Sequence, residues 1–198
     1  MKFSVYQAPV SNTVPAGTLT AEELFKVISG KGIDTPRLAG LTRCVINAQN
    51  EYNTAILLNA RGRLSTKELQ RRKGLIFPYV TIGGVFSPTR KADNLQRASG
   101  LLTIDIDHLT DTESVFHQLA QDQLLPLVLL FHSPTAGIKI VLDINRQETP
   151  YSQTYTRFAN YLYTAYGITS DPAPKNIAAA TYIPYDPDCI YKTTVLSP

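Results

Sequence analysis

Hydrophobic and polar positions alternate most cleanly along Leu101-Leu102-Thr103-Ile104-Asp105-Ile106-Asp107-His108, an apolar strand with two carboxylates at its end. Strand side chains alternate between faces, so Leu102, Ile104 and Ile106 point one way, and Thr103, Asp105 and Asp107 the other. The order stays legible downstream. A strand over about 101–107 is followed by a helix from Asp111 to about Gln121 and an apolar strand from Leu124 to His132. Ser133-Pro134-Thr135-Ala136-Gly137 is a turn, since Pro and Gly both favour reversal. Ile138 to Ile144 is a further strand. A helix runs from about Thr149 to Tyr166, with Tyr155, Phe158, Ala159, Leu162 and Tyr166 at helical spacing, and Gly167 stops it. A loop leads to a last strand at about Ala180–Tyr185. The order β-α-β-β-α-β is that of the split βαβ unit. It predicts an α+β fold with an RRM/ferredoxin-like core over about 101–185. Strand 101–107 is then central, with 138–144 on one side and 180–185 on the other. Both helices cover one face, and the other face stays open.

Upstream the periodicity is weaker. Residues 2–7 read as a short strand. Thr20-Ala21-Glu22-Glu23 matches a capping box and starts a helix through about Ile28. Residues 35–73 read as helical pieces broken by loops, with Gly62 and Gly74 as stops. Phe77 to Phe86 reads as a strand broken at Gly83-Gly84, and 87–100 as a polar loop. The expected organisation is one domain over 1–198, with 1–100 a mixed α/β extension packed on the sheet of 101–198.

The chain has 198 residues, enough for a substantial core. No apolar run approaches the roughly 18 residues of a membrane helix, so no membrane partner is expected. The N-terminus lacks the apolar stretch of a signal peptide. Cys44 and Cys189 show no metal-ligand spacing and are expected as free thiols in a reducing cytoplasm. His108, His117 and His132 form no zinc signature, so any metal is expected to be held mainly by oxygen. Charge is unevenly placed. Arg61 to Arg97 holds nine basic and two acidic residues, a local +7 within a chain of net +3. A basic segment beside an acidic, metal-prone one suits a nucleic-acid enzyme. Taken alone, Lys67 to Lys73 is also the pattern of a solvated helix face.

Two like charges side by side are costly unless neutralised, and carboxylate oxygens suit Mg2+ or Mn2+. The expected topology brings Asp105 and Asp107 beside Lys139, with the loop of Asp171 at the same end of the sheet. The Ser133–Gly137 turn lies there too, with hydroxyls and N–H groups able to cradle phosphate. Each component has a plain reading alone: a solvent-facing strand end, an exposed lysine, hairpin punctuation, a loop-starting aspartate. His132 reads as a strand-end histidine. Tyr185-Asp186-Pro187-Asp188 reads as a turn beyond the site. Convergence of the other groups points to a metal–phosphate site.

Gly100–Leu109, Ser133–Val141 and Tyr185–Asp188, with Thr81–Ser87 ahead of them, resemble the N-terminal domain of virulence-associated protein E-like proteins of Bacteroides-type bacteria and their mobile elements. More broadly the chain resembles the archaeo-eukaryotic primase–polymerase superfamily, which has an RRM-like catalytic core. The resemblance implies that Asp105 and Asp107 are catalytic metal ligands. It matches Asp171 loosely to a third metal ligand. Ser133, Gly137 and Lys139 fall in a motif that contacts nucleotide phosphates, with Lys139 where histidine is usual. A lysine there keeps the attraction for phosphate without histidine's titration. Relatives often carry an arginine shortly before the last strand, where this chain has Ala178-Ala179-Ala180-Thr181.

The leading expectation is a primase–polymerase-like nucleotidyltransferase using two divalent ions, nucleoside triphosphates and a single-stranded DNA template, in mobile-element or phage replication. Arg71, Arg72, Lys73, Arg90 and Lys91 are the candidate template contacts. A helicase or ATPase domain or subunit is a candidate partner. The rivals are a catalytically inactive nucleic-acid-binding, replication-initiation module and a metal-dependent nuclease.

Overall fold

The computed structural model describes residues 1–145 and 149–193. Its first strands are β1 (Lys2–Tyr6) and β2 (Gly17–Thr20). Helix α1 (Ala21–Ile28) starts on the capping box read in the sequence. The Thr20 hydroxyl accepts from the Glu23 N–H, and the Glu23 carboxylate accepts from the Thr20 N–H. Helix α2 (Pro36–Ala60) has Thr35 as cap and Pro36 in its first turn, where a missing N–H costs nothing. Ser65 caps α3 (Thr66–Ile76). Strands β3 (Tyr79–Thr81), β4 (Gly84–Phe86) and β5 (Leu95–Ala98) follow.

The second half runs β6 (Leu101–Ile106), α4 (Thr112–Gln121), β7 (Leu127–His132), β8 (Ile138–Asp143), α5 (Tyr151–Tyr166), β9 (Thr181–Tyr182) and β10 (Ile190–Tyr191). Asp111 caps α4 through the Ser114 N–H, and α5 ends on Gly167 at φ 68, the left-handed conformation that glycine adopts most easily. The described residues thus form a mixed α+β fold of five helices and three antiparallel sheets. The sheet orders are β2-β1-β3-β9, β10-β7-β8-β6 and the pair β4-β5.

Helix α3 runs past Gly74, read as its stop, and β5 lies within the segment read as a polar loop; two larger expectations are also corrected. The last strand does not flank β6. Residues Thr181 and Tyr182 pair with Val80 and Tyr79 and close the N-terminal sheet instead. On the outer edge of β6 a single antiparallel bridge from Asp171 to Asp105 takes the place of a fourth strand, and the Thr103 backbone is met by the Tyr151 hydroxyl. These contacts satisfy the polar edge that an absent strand would leave bare. The physical reason is that a short apolar segment is compatible with either sheet, and the β1–β3 sheet offers it a paired edge.

The second correction concerns the face expected to be open. Leu102, Ile104, Ile106, Ile138 and Ile140 pack against Phe116 and Leu119 of α4 and Tyr155 and Leu162 of α5, as alternation requires. The opposite face carries Leu101, Leu129, Phe131 and Val141, and these join Phe3, Val5, Leu24, Val27, Val80 and Ile183 in one buried cluster. The sheet is therefore covered on both faces. Apolar residues of the N-terminal elements bury themselves on the face that the two helices leave free.

Candidate metal centre

Register puts the site together. In the β6–β8 ladder Asp105 stands opposite Lys139 and Ile106 opposite Ile138, so the two charged side chains lie on the same face of neighbouring strands. The Lys139 ammonium donates to Asp105 Oδ2. Both side chains are poor in solvent, 7% exposed for Lys139 and 16% for Asp105. Asp105 Oδ1 and the nearby Thr103 hydroxyl are buried without a hydrogen-bond partner among the described residues. A buried carboxylate oxygen left unpaired is costly, and a cation removes that cost.

Asp107 follows at the end of β6, and Asp171 arrives from the loop after α5. The Asp171 N–H donates to the Asp105 carbonyl at 2.8 Å, and the Tyr155 hydroxyl donates to the Asp171 carbonyl while accepting from the Ser170 hydroxyl. One carboxylate oxygen each from Asp105, Asp107 and Asp171 lies within 4.8 Å of the others. This donor set is all hard oxygen, which fits Mg2+ or Mn2+ better than a soft metal.

The Ser133–Gly137 turn is tightly self-bonded. The Ser133 hydroxyl accepts from the Gly137 N–H at 2.9 Å and the Thr135 N–H at 3.3 Å, and the Ser133 N–H donates to the Gly137 carbonyl at 2.7 Å. The Ala136 N–H donates to the Ser133 carbonyl at 3.2 Å, so all four N–H groups of the turn are spent inside it, and Ser133 is buried. A side chain at Gly137 would meet the Ile106 carbonyl at 2.5 Å and Asp107 Oδ1 at 2.6 Å. Glycine here lets the turn press against the Asp107 carboxylate.

The basic candidates separate. Arg71 is held by Glu68 through two bonds of 2.7 Å, and Arg72 lies 3.5 Å from the same carboxylate. Both guanidinium groups remain on the outer side of α3. Lys91 is exposed. Arg90 is turned inward, over the Tyr79 ring and against the Val10 and Ala178 carbonyls. Lys73 is partly buried within the electrostatic reach of the carboxylates. Its ammonium stands 5.5 Å from the centre of the Tyr182 ring. Burial and the Lys139 charge hold its pKa below the ordinary lysine range, against the pull of Asp107, Asp105 and Asp171. Sequence reading gave Lys73 to the template surface. No local signal separates it from Arg71 and Arg72, because its role depends on how α3 docks.

His132 and Asp186 lie apart from this cluster. Asp186 is buried and accepts from the His132 backbone N–H at 2.6 Å and pairs with the imidazole Nδ1 at 3.0 Å, and the ring stacks on Phe116.

Fold and site together define an α+β domain with three carboxylates and a lysine gathered at the end of an antiparallel sheet. Residues 71–191 match the family model described as BT4734-like, N-terminal domain, more than half of the chain, and the chain belongs to that family. No curated protein and no solved structure matches it.

Proposed function

We propose that this chain is a divalent-metal-dependent nucleotidyltransferase domain of primase–polymerase type, acting on nucleic acid in phage or mobile-element replication. The observation that carries the reading is the meeting of Asp105, Asp107 and Asp171 within 4.8 Å, beside Lys139. The resemblance of the same motifs to virulence-associated protein E-like proteins and to primase–polymerases supports it. Bound there, Mg2+ or Mn2+ would activate an attacking hydroxyl and neutralise charge on the transferred phosphoryl group.

The chain's own residues do the positioning. Asp105 is fixed by β6, Asp107 by the turn pressed against it, and Asp171 by Tyr155. Lys139 and Lys73 give positive charge on the side of the N-terminal elements, where a triphosphate gains most from them. Arg71, Arg72 and Lys91 supply outward charge for a single-stranded template, and binding through them weakens as salt rises.

One observation favours a second reading. The Lys139 ammonium already neutralises Asp105, as it would in a catalytically inactive domain that only binds nucleic acid. Incorporation of labelled nucleotides on single-stranded DNA with Mn2+ or Mg2+ separates the two. Products that lengthen with the natural chain and vanish in Asp105→Ala/Asp107→Ala establish the enzyme. No product, with salt-sensitive DNA binding equal in both chains, establishes the binding module. Metal-dependent shortening of the DNA establishes a nuclease instead.

A further inference from the structure

A cavity of about 710 Å3 opens beside the carboxylate cluster, between the loop after β6 and the loop after α5. Asp107 and Asp171 form part of its wall. The remaining lining differs in kind. Leu109, Val115 and Ile168 are apolar, Thr110, Thr169 and Ser170 carry hydroxyls, and among the described residues no lysine or arginine takes part. Both lysines of the site lie outside it. Lys139 projects on the sheet face that packs against the N-terminal elements, and Lys73 comes from α3 over Tyr182. The site therefore has a cationic side and a neutral side with the carboxylates between them.

The neutral side is a built feature. His108 at its lip holds φ 60, a backbone conformation that residues other than glycine seldom adopt and that persists where the surroundings enforce it. Across the cavity, Tyr155 fixes Ser170 and Asp171 through its hydroxyl. The volume lies in the range of small-molecule pockets, about 300–1,000 Å3, which combine apolar walls with a few placed polar groups.

We infer that this cavity receives the uncharged sugar-and-base end of a nucleotide whose phosphates lie toward Lys139 and Lys73. The inference rests on the metal–phosphate reading and adds an orientation to it. The reverse orientation would press phosphates against Asp107 and Asp171 in a cavity whose described lining holds no lysine or arginine to offset the repulsion. A nucleoside instead meets apolar walls with its ring faces and hydroxyl groups with its sugar. Inorganic triphosphate carries only the half of the ligand that the cationic side binds, so the cavity adds nothing to its affinity.

The test compares ATP, CTP and inorganic triphosphate as ligands of the full chain in Mn2+ by titration calorimetry. The natural chain binds ATP and CTP more tightly than inorganic triphosphate. Thr169→Trp and Thr110→Trp place a ring in the cavity from exposed loop positions. Each is expected to weaken ATP and CTP by about ten-fold or more while leaving inorganic triphosphate unchanged. Asp107→Asn weakens all three ligands. If both tryptophan variants bind ATP as the natural chain does, or if the natural chain binds ATP no better than inorganic triphosphate, the cavity assignment is overturned while the metal–phosphate reading stands. If the natural chain binds none of the three, or Asp107→Asn binds all three unchanged, the metal–phosphate reading fails and takes this inference with it.

Discussion

Lys139 and Asp105 hold each other in a nearly dry part of the sheet, and that fixes what either can lose. Removing the lysine leaves a desolvated carboxylate beside Asp107 and Asp171 with its principal counter-charge gone. Breaking one partner of a buried pair costs about 3–5 kcal/mol. Lys139→Met is therefore expected to lower stability to urea by about 3 kcal/mol in chelator. Mn2+ should restore much of the loss, because an ion on the three carboxylates replaces the missing charge, and it should restore little in the Asp107→Asn background. Equal urea midpoints with chelator and with Mn2+ would show that these carboxylates take no ion. Gly137 is constrained by space. A methyl group there meets a backbone carbonyl at 2.5 Å, which no side-chain rotation relieves. Gly137→Ala is expected to destabilise by about 1–3 kcal/mol, read in the same denaturation assay.

At the scale of elements, α3 carries two kinds of positive charge on adjacent positions. Arg71 and Arg72 face Glu68 and solvent, while Lys73 lies over Tyr182 within the electrostatic reach of the carboxylates. Lys73→Ala is expected to weaken nucleotide binding and to leave the salt dependence of single-stranded DNA binding unchanged. Arg71→Ala/Arg72→Ala is expected to do the reverse, lowering the salt slope by about 1 for each phosphate that an arginine no longer neutralises. Identical effects of the two variants would dissolve the distinction. The same contrast explains what is legible in the sequence. Strands β6 and β8, their Asp105–Lys139 neighbourhood and the start of α1 follow from alternation and a capping box, which are local and strong. Asp171 is reachable through topology even with the fourth strand misplaced, because the loop after α5 returns to the same sheet end. The strands β2, β5 and β10 are not legible. They are two to four residues long and lie at sheet edges, and β5 is largely exposed, so burial leaves no pattern on them. The partner of β9 and the direction of Lys73 are set by packing between distant segments, which no window of sequence contains.

The whole molecule is tied together by the segment around Asp186. The Asp186 N–H donates to the Ile28 carbonyl at the end of α1, its carboxylate holds His132 at the end of β7, and β10 then pairs along β7 through Ile190 and Leu130. Tyr191 stacks on Phe25 of α1, and the Lys192 ammonium donates to the Ala120 carbonyl of α4. This run links the N-terminal half to both sides of the second sheet, and its one titrating joint near neutrality is His132. The hydrogen bond that Asp186 accepts from the ring raises the His132 pKa above the ordinary value of 6.5, opposed by burial and aided by the charges of Asp186, Glu113 and Asp188. A histidine whose pKa is raised on folding contributes its full stabilisation below the unfolded value and loses it as pH climbs through the folded one. Stability in urea is thus expected to fall as pH rises above about 6.5 through the raised pKa of the folded chain. His132→Gln removes the titrating group while keeping the backbone N–H that Asp186 accepts, so its urea midpoint should be flatter across the same range. A slope unchanged in His132→Gln would assign the pH dependence elsewhere. Protection of the Tyr191 amide from hydrogen exchange should weaken along with the natural chain's stability at the higher pH, because the pairing of β10 depends on the segment that this joint secures.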